Sequence, residues 1–290
     1  MTLTSFRFID HLAEIAERFD GFIFDLWGVV HDGKAPYPGA LTAMAAIKRS
    51  ARPILLLSNA PRRSDAVAVF LDKIGVPRDA YDGVLTSGDL VHAALLRGEP
   101  GGRNAKCLRI GPERDHGLID GLDVRLIDDV QTADLLLVTG LHDDERETAD
   151  DYRALLDAAL RRRLPLVCAN PDLSVMRGTD EVPCAGAIAA LYESMGGQVH
   201  WFGKPDASAY RASVDRLGLP AARLLAVGDS FRTDIQGASR FGIASLFVAG
   251  GLHGSHWRLG RGERPPPALI EAEATRWNAW PHYVTALLTW

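Results

Sequence analysis

The 290-residue chain is 47% hydrophobic and 24% charged, with a formal net charge of −5. That balance suits one large or two moderate globular domains and offers no basic field for nucleic acid. Its three cysteines, Cys107, Cys168 and Cys184, fit neither a disulfide framework nor a zinc site, while the start from Met1 to Arg7 shows no signal peptide and no apolar run approaches a membrane span, so a reducing, cytoplasmic setting without membrane or nucleic-acid partners is expected.

Ile9, Leu12, Ile15, Ala16 and Phe19 recur at helical spacing and predict a leading amphipathic helix. The apolar run Gly21-Phe22-Ile23-Phe24 then reads as a buried strand that ends on Asp25. Pro38-Gly39 opens a helix over Ala40–Arg49, and Pro53–Leu57 is a second strand ending at Ser58-Asn59. A helix over Ser64–Ile74 follows, with Ser64 as its expected cap, and then strand Gly83–Leu85 ending at Thr86-Ser87. Continuous apolar strands alternating with helices predict a parallel sheet covered on both faces.

After Gly88 the rhythm changes. Helix Asp89–Leu96 runs into a glycine-rich connector, and a second strand-and-helix series occupies residues 106–172, including Leu135–Thr139, helix Ala149–Arg163 and strand Leu166–Cys168. Residues 89–182 read as an inserted α/β domain, with 1–88 and 183–290 forming a discontinuous Rossmann-like core. The core pattern is expected to return with helix Ala185–Met195, strand Val199–Trp201, helix Ala207–Leu217, strand Leu224–Val227, helix Asp234–Phe241 and strand Ser245–Val248. The proline- and tryptophan-rich tail from Arg258 has no assigned place.

Asp25, Ser58-Asn59, Lys204 and Asp229 each stand just after an apolar strand, where parallel sheets offer their ligand crevice. Asp25, Ser58-Asn59 and Lys204 each also read alone as an ordinary turn, whereas Gly228-Asp229-Ser230 followed by Asp234 sets two acids around a tight loop. Together they have a chemical logic. Two carboxylates, Asp25 and Asp229, can hold Mg²⁺, which takes oxygen ligands. The Ser58 hydroxyl can bind phosphoryl oxygens, Lys204 supplies a positive point charge, and Asp25 can attack phosphorus to form an aspartyl phosphate.

The set resembles the haloacid dehalogenase superfamily: Asp25-Leu26-Trp27-Gly28-Val29 as first motif, Ser58-Asn59 as second, Lys204 as third, and Gly228-Asp229 with Asp234 as fourth. The insertion between the second and third motifs resembles the C2-type cap of the 4-nitrophenyl phosphatase and pyridoxal phosphatase branch, with Ala169-Asn170-Pro171-Asp172 and Gly203-Lys204-Pro205 as further matching pieces. The resemblance implies a Rossmann-like fold, a Mg²⁺ cofactor and small phosphorylated metabolites as substrates. It implies Asp25 as nucleophile, and Asp25, the carbonyl of Trp27 and Asp229 as metal ligands. It places Ser58, Asn59 and Lys204 at the phosphate, makes Asp234 the residue that orients Lys204 or a metal-bound water, and implies a homodimer formed through the cap. Cap residues from Asn170 to Thr179 are expected to select the substrate.

One position departs from the pattern. The family's phosphatases carry an aspartate two residues after the nucleophile, as acid and then base, and here that residue is Trp27. Indole has one N–H donor and cannot exchange a proton in that way, and a lost general acid costs about 10²–10⁴ in rate. Three readings stay open: a substitute acid, with His31 (beside Asp32) as candidate; a substrate whose leaving group needs no proton; or a weak or inactive binder of a phosphorylated ligand. A 2-haloacid dehalogenase is a further alternative, because those enzymes also carry an aromatic residue there, but they have no use for Asp229 and Asp234. His253 and His256 read as a surface loop, Asp143-Asp144-Glu145 as a solvated helix start, and Cys168 and Cys184 as buried thiols.

Overall fold

The computed structural model describes residues 5–177, 180–260 and 262–290. Apolar strands without alternation need both faces covered. Seven strands form one parallel sheet, the inner ones of this apolar kind: β1 (Arg7–Phe8), β2 (Gly21–Phe24), β3 (Ile54–Ser58), β4 (Gly83–Thr86), β12 (Leu224–Gly228), β13 (Ala244–Val248) and β14 (Tyr283–Thr285). Their order is β1-β14-β13-β12-β2-β3-β4, so β2 lies between β12 and β3. Phe22 and Phe24 point to the face covered by α2 (Pro38–Arg49) and α3 (Ser64–Ile74), where Met44, Ile47 and Leu71 meet them. Ile23 points to the opposite face, with Ala209 and Tyr210 of α7 (Ala207–Leu217) and Ala238 of α8 (Gln236–Phe241).

A second parallel sheet has the order β11-β8-β7-β5-β6, built from β5 (Ala105–Ile110), β6 (Val124–Leu126), β7 (Leu135–Val138), β8 (Leu166–Cys168) and β11 (Val199–Trp201). Val91 and Leu95 of α4 (Ser87–Leu96) pack on one face of it. On the other face lie Leu156 and Ala159 of α5 (Arg153–Arg161) and Ile188, Ala189 and Tyr192 of α6 (Ala185–Ser194). This corrects the expectation that the core resumes at residue 183. α6 and β11 both belong to the second sheet, with Trp201 paired to Cys168. The apolar stripe of α6 would fit either sheet, and a three-residue Val-His-Trp strand carries no signal for which edge it joins. The chain rejoins the first sheet only after Trp201.

An antiparallel hairpin, β9 (Ser174–Arg177) with β10 (Asp180–Pro183), follows Asp172 and was not anticipated. Of the expected substrate-selecting stretch, Gly178 and Thr179 lie outside the described residues, as do Met1 to Thr4 of the chain's start. The leading helix is shorter than its periodicity suggests: α1 covers Ala13–Ala16, although Ile9, Leu12, Ile15, Ala16 and Phe19 are all buried. Ser64 does not cap α3. Its hydroxyl and amide both donate to Asp89, which also forms a capping box with Thr86 at the start of α4. The tail finds its place as α10 (Pro267–Trp277) and β14, the latter paired with β13. Among the described residues no helix is long and apolar enough to cross a membrane, and all three cysteines are buried free thiols.

Candidate active site

Register brings the four motifs together. Phe24 pairs with Val227 and Leu56 in neighbouring strands. The residues at the ends of those strands, Asp25, Asp229 and Ser58-Asn59, therefore emerge side by side at the carboxyl edge. The Asp25 amide donates to the Val227 carbonyl at 2.9 Å, which continues the ladder into the site. Ser230 opens a wide turn over Phe231–Ile235, accepting the Thr233 amide on its hydroxyl. Under that turn Phe231 and Ile235 pack with Phe247 and Ile270. This anchoring brings Asp234 back beside Asp229.

Lys204 Nζ lies 2.6 Å from Asp25 Oδ1 and 2.7 Å from Asp234 Oδ1. The second oxygen of Asp234 accepts the Ser230 amide at 3.1 Å, and Asp229 Oδ2 accepts the Leu252 amide at 2.7 Å. Asn59 clamps the lysine backbone: its Oδ1 accepts the Lys204 amide at 2.8 Å, and its Nδ2 donates to the Lys204 carbonyl at 3.2 Å. The same Nδ2 donates to Asp172 Oδ1 at 2.9 Å. Gly203 has φ +108°, and a Cβ there would sit 2.5 Å from Asn59 Oδ1, so only glycine lets the two loops meet. Ser58 is buried, and its hydroxyl accepts the Ala60 amide at 3.2 Å.

Burial pushes the Asp25 carboxyl up to about 7, against the pull of Lys204 and with the push of Asp234. Burial, followed by repulsion from Asp25 and Asp234, drives Asp229 well above the carboxylate range. Burial opposes the Lys204 ammonium, yet Asp234 and Asp25 outweigh it and hold its pKa well above the ordinary value. Oxygens of Asp25, Asp229 and Asp234 lie within 4.8 Å of one another, with one ammonium to balance three acids. Buried charge of that kind calls for a further cation. Among the described residues the Trp27 carbonyl accepts no hydrogen bond, so it is an available oxygen donor. The donor set is oxygen only, and it fits a hard divalent cation.

His31 is not brought to this cluster. It is 1% exposed, stacked edge-on against Trp27 and Phe70, and it does not line the cavity over Asp25. Its Nδ1 accepts the Gly33 amide at 2.9 Å, which leaves the proton on Nε2. Burial pushes its pKa down to about 4, so the ring is neutral at physiological pH and has no acidic proton to give. The Trp27 ring packs against His31 and also lies over Gly33, where an added Cβ would be 2.4 Å away. Trp27 thereby fills its position as a wall of the first loop.

The cavity above Asp25 measures about 990 Å³ and spans both units, with Trp27 and Tyr37 from the first loop, Val175 and Met176 from β9, and Trp257 and Trp277 from the C-terminal region. His253 and His256 lie on a short helix, α9 (Leu252–His256), not on a loop. His253 is buried against Phe231, Phe247 and Trp257. His256 reaches Glu181 of β10 at 3.1 Å. Asp144, expected to be solvated, pairs with Arg177 and Arg114 at 2.7 Å each and braces β9. Sequence reasoning missed the Leu252 amide, which carries no residue-type signal, and the reach of Asp172 to Asn59. Asp172 stands beyond an apolar strand end, as the other site residues do, and that signal could have found it.

The model of the haloacid dehalogenase-like hydrolases matches residues 22–125, and a HAD-hydrolase-like model matches residues 201–284. The chain is 30% identical over 251 residues to a D-glycerol 3-phosphate phosphatase of Mycobacterium tuberculosis, covering 85% of this chain and 67% of the relative. A haloacid dehalogenase-like hydrolase from Brucella suis 1330 superposes with a TM-score of 0.85 at 34% identity, over 97% of this chain and all (100%) of the other. A glycerol phosphate phosphatase from Mycobacterium tuberculosis in complex with magnesium superposes with a TM-score of 0.68 at 25% identity, over 94% of this chain and 76% of the other. The chain belongs to the haloacid dehalogenase-like hydrolases, in the branch that carries an α/β cap inserted between the second and third motifs.

Proposed function

We propose that this hydrolase is a Mg²⁺-dependent phosphatase of small phosphorylated metabolites that works through an aspartyl phosphate on Asp25. The observation that carries the reading is Lys204 Nζ, bound at once to Asp25 and Asp234 with Asp229 alongside. This arrangement fixes a carboxylate oxygen at the floor of the cavity and supplies positive charge where a phosphate dianion must approach an anion. Asp25 is the nucleophile, Asp234 orients Lys204, and Ser58, Asn59 and Lys204 form the phosphate cradle. Mg²⁺ held by Asp25, Asp229 and the Trp27 carbonyl would neutralise charge on the phosphoryl oxygens. The D-glycerol 3-phosphate phosphatase relative supports this substrate class, and the magnesium-bound glycerol phosphate phosphatase supports the cation.

The test is release of inorganic phosphate from a panel of sugar, polyol and aryl phosphates, with and without Mg²⁺, beside Asp25→Asn. The wild type is expected to turn over at least one with Mg²⁺ and to lose at least about 10³-fold in the variant. Equal rates for both proteins across the panel would sink the reading.

A further inference from the structure

With Trp27 in the acid position and His31 sealed away, the proton for the leaving group needs another source. Six carboxylates line the cavity: Asp25, Asp32, Asp172, Glu181, Asp229 and Glu273. Asp25 and Asp229 belong to the nucleophile and metal set. Burial pushes Asp32 upward, but the amides of Ala35 and Lys34 outweigh it and hold it ionised. Glu181 is held low by the Ser174 hydroxyl first and by His256 as well. Glu273 accepts the Trp277 indole N–H at 2.9 Å and pairs with Arg276. Asp172 remains.

Asp172 is supplied by the second unit and held at the seam between the two. Its Oδ1 takes the Asn59 amide, its own amide donates to the Asn170 side chain at 3.0 Å, and the Pro171 carbonyl accepts from Arg232 at 2.6 Å. Among the described residues Oδ2 takes no hydrogen bond. We propose, resting on the phosphatase reading above, that Asp172 is the general acid and base of this enzyme in place of the residue that Trp27 displaced. In the first half-reaction Asp25 bonds to phosphorus, the bond from phosphorus to the leaving oxygen breaks, and the Asp172 proton goes to that oxygen. In the second, the Asp172 carboxylate takes a proton from water as its oxygen bonds to phosphorus, and the phosphorus–Asp25 bond breaks. Both carboxyl groups return to their starting states.

The surroundings of Asp172 suit that cycle. Burial raises its pKa first, and Asp234 adds to this, while Lys204, Asn59 and Arg232 pull it down. Asp25 feels its charge too, and the neighbouring Cys168 and Cys184 are thiols whose own pKa values burial pushes upward. The carboxyl thus stays protonated to higher pH than a solvated one.

Leaving-group chemistry separates this role from a merely structural one. An alkyl phosphate such as glycerol 3-phosphate needs its leaving oxygen protonated, whereas 4-nitrophenyl phosphate does not. Asp172→Asn is expected to lower kcat/KM for the alkyl ester by about 10²–10⁴ and for the aryl ester by less than roughly tenfold. Asp172→Glu is expected to recover part of the alkyl activity. In the wild type, kcat/KM for the alkyl ester is expected to fall on the alkaline side, with no such limb for the aryl ester. Equal losses on both esters, or a wild-type alkaline limb that is absent or shared by both, would overturn the assignment even if Asp172→Asn fails to fold. Wild-type enzyme inactive on every ester would instead overturn the phosphatase reading itself.

Discussion

Asp229 is held between two glycine backbones, and that packing ties the proposed metal site to residues with no chemistry of their own. A Cβ at Gly28, where φ is +74°, would lie 1.8 Å from Asp229 Oδ2, and one at Gly251 would lie 2.1 Å from the same atom. Gly28→Ala is therefore expected to weaken Mg²⁺ binding in titration calorimetry and to destabilise the fold by about 1–3 kcal/mol. Wild-type Mg²⁺ affinity in that variant would show that Asp229 does not hold the ion from this position. The pH response of Asp25 has a defined sign. Its folded pKa of about 7 exceeds the ordinary 3.8, so between those values the folded chain binds a proton that the unfolded chain does not. Its contribution is present at low pH and is lost as pH rises through about 7. In EDTA, Asp25→Asn is expected to flatten the fall in Tm over that window, and an unchanged slope would contradict this.

The turn over Phe231–Ile235 and the helix bearing His253 share one aromatic cluster, with Phe247 and Trp257 against the imidazole. Burial holds His253 down to about 4 from an ordinary 6.5. Its neutral form therefore favours the fold above 6.5, and that stability is lost as pH falls from there towards about 4. His253→Phe is expected to reduce the drop in Tm between about pH 7 and about pH 5, measured by differential scanning calorimetry; a drop equal to that of wild type would contradict it. Elements whose apolar pattern is continuous were legible from sequence: β2, β3, β4, β12 and β13, of which β2, β3 and β12 carry the first, second and fourth motifs at their ends, while the third, Lys204, follows β11. The β9–β10 hairpin was not, because its strands, Ser-Val-Met-Arg and Asp-Glu-Val-Pro, lie half-exposed and carry charge. β14 was not, because Tyr-Val-Thr is too short to announce a strand without the neighbour that pairs with it. His31 was misjudged because titration range was legible and burial was not.

The two sheets meet at the site. The first supplies Asp25, Ser58, Asn59 and Asp229 from strand ends, and the second supplies Asp172 and the hairpin that closes the cavity. The sequence conveyed this architecture through the order of its motifs, but it misplaced the return from the second sheet, since helix α6 and strand β11 carry no label for the sheet they join. Uncompensated buried acids weaken the metal-free fold. Mg²⁺ at about 100 times its Kd is expected to add about 2.7 kcal/mol, a rise in Tm on the order of 5–10 °C, and Asp229→Asn is expected to abolish that rise. A rise kept in the variant would place the ion elsewhere. A covalent phosphoryl group on Asp25 is tested by peptide mapping with mass spectrometry after rapid acid quench of enzyme turning over a phosphate ester with Mg²⁺. A phosphorylated Asp25 peptide is expected in the wild type and none in Asp25→Asn. Phosphate release that proceeds with no modified Asp25 peptide, at a rate undiminished in Asp25→Asn, would contradict it.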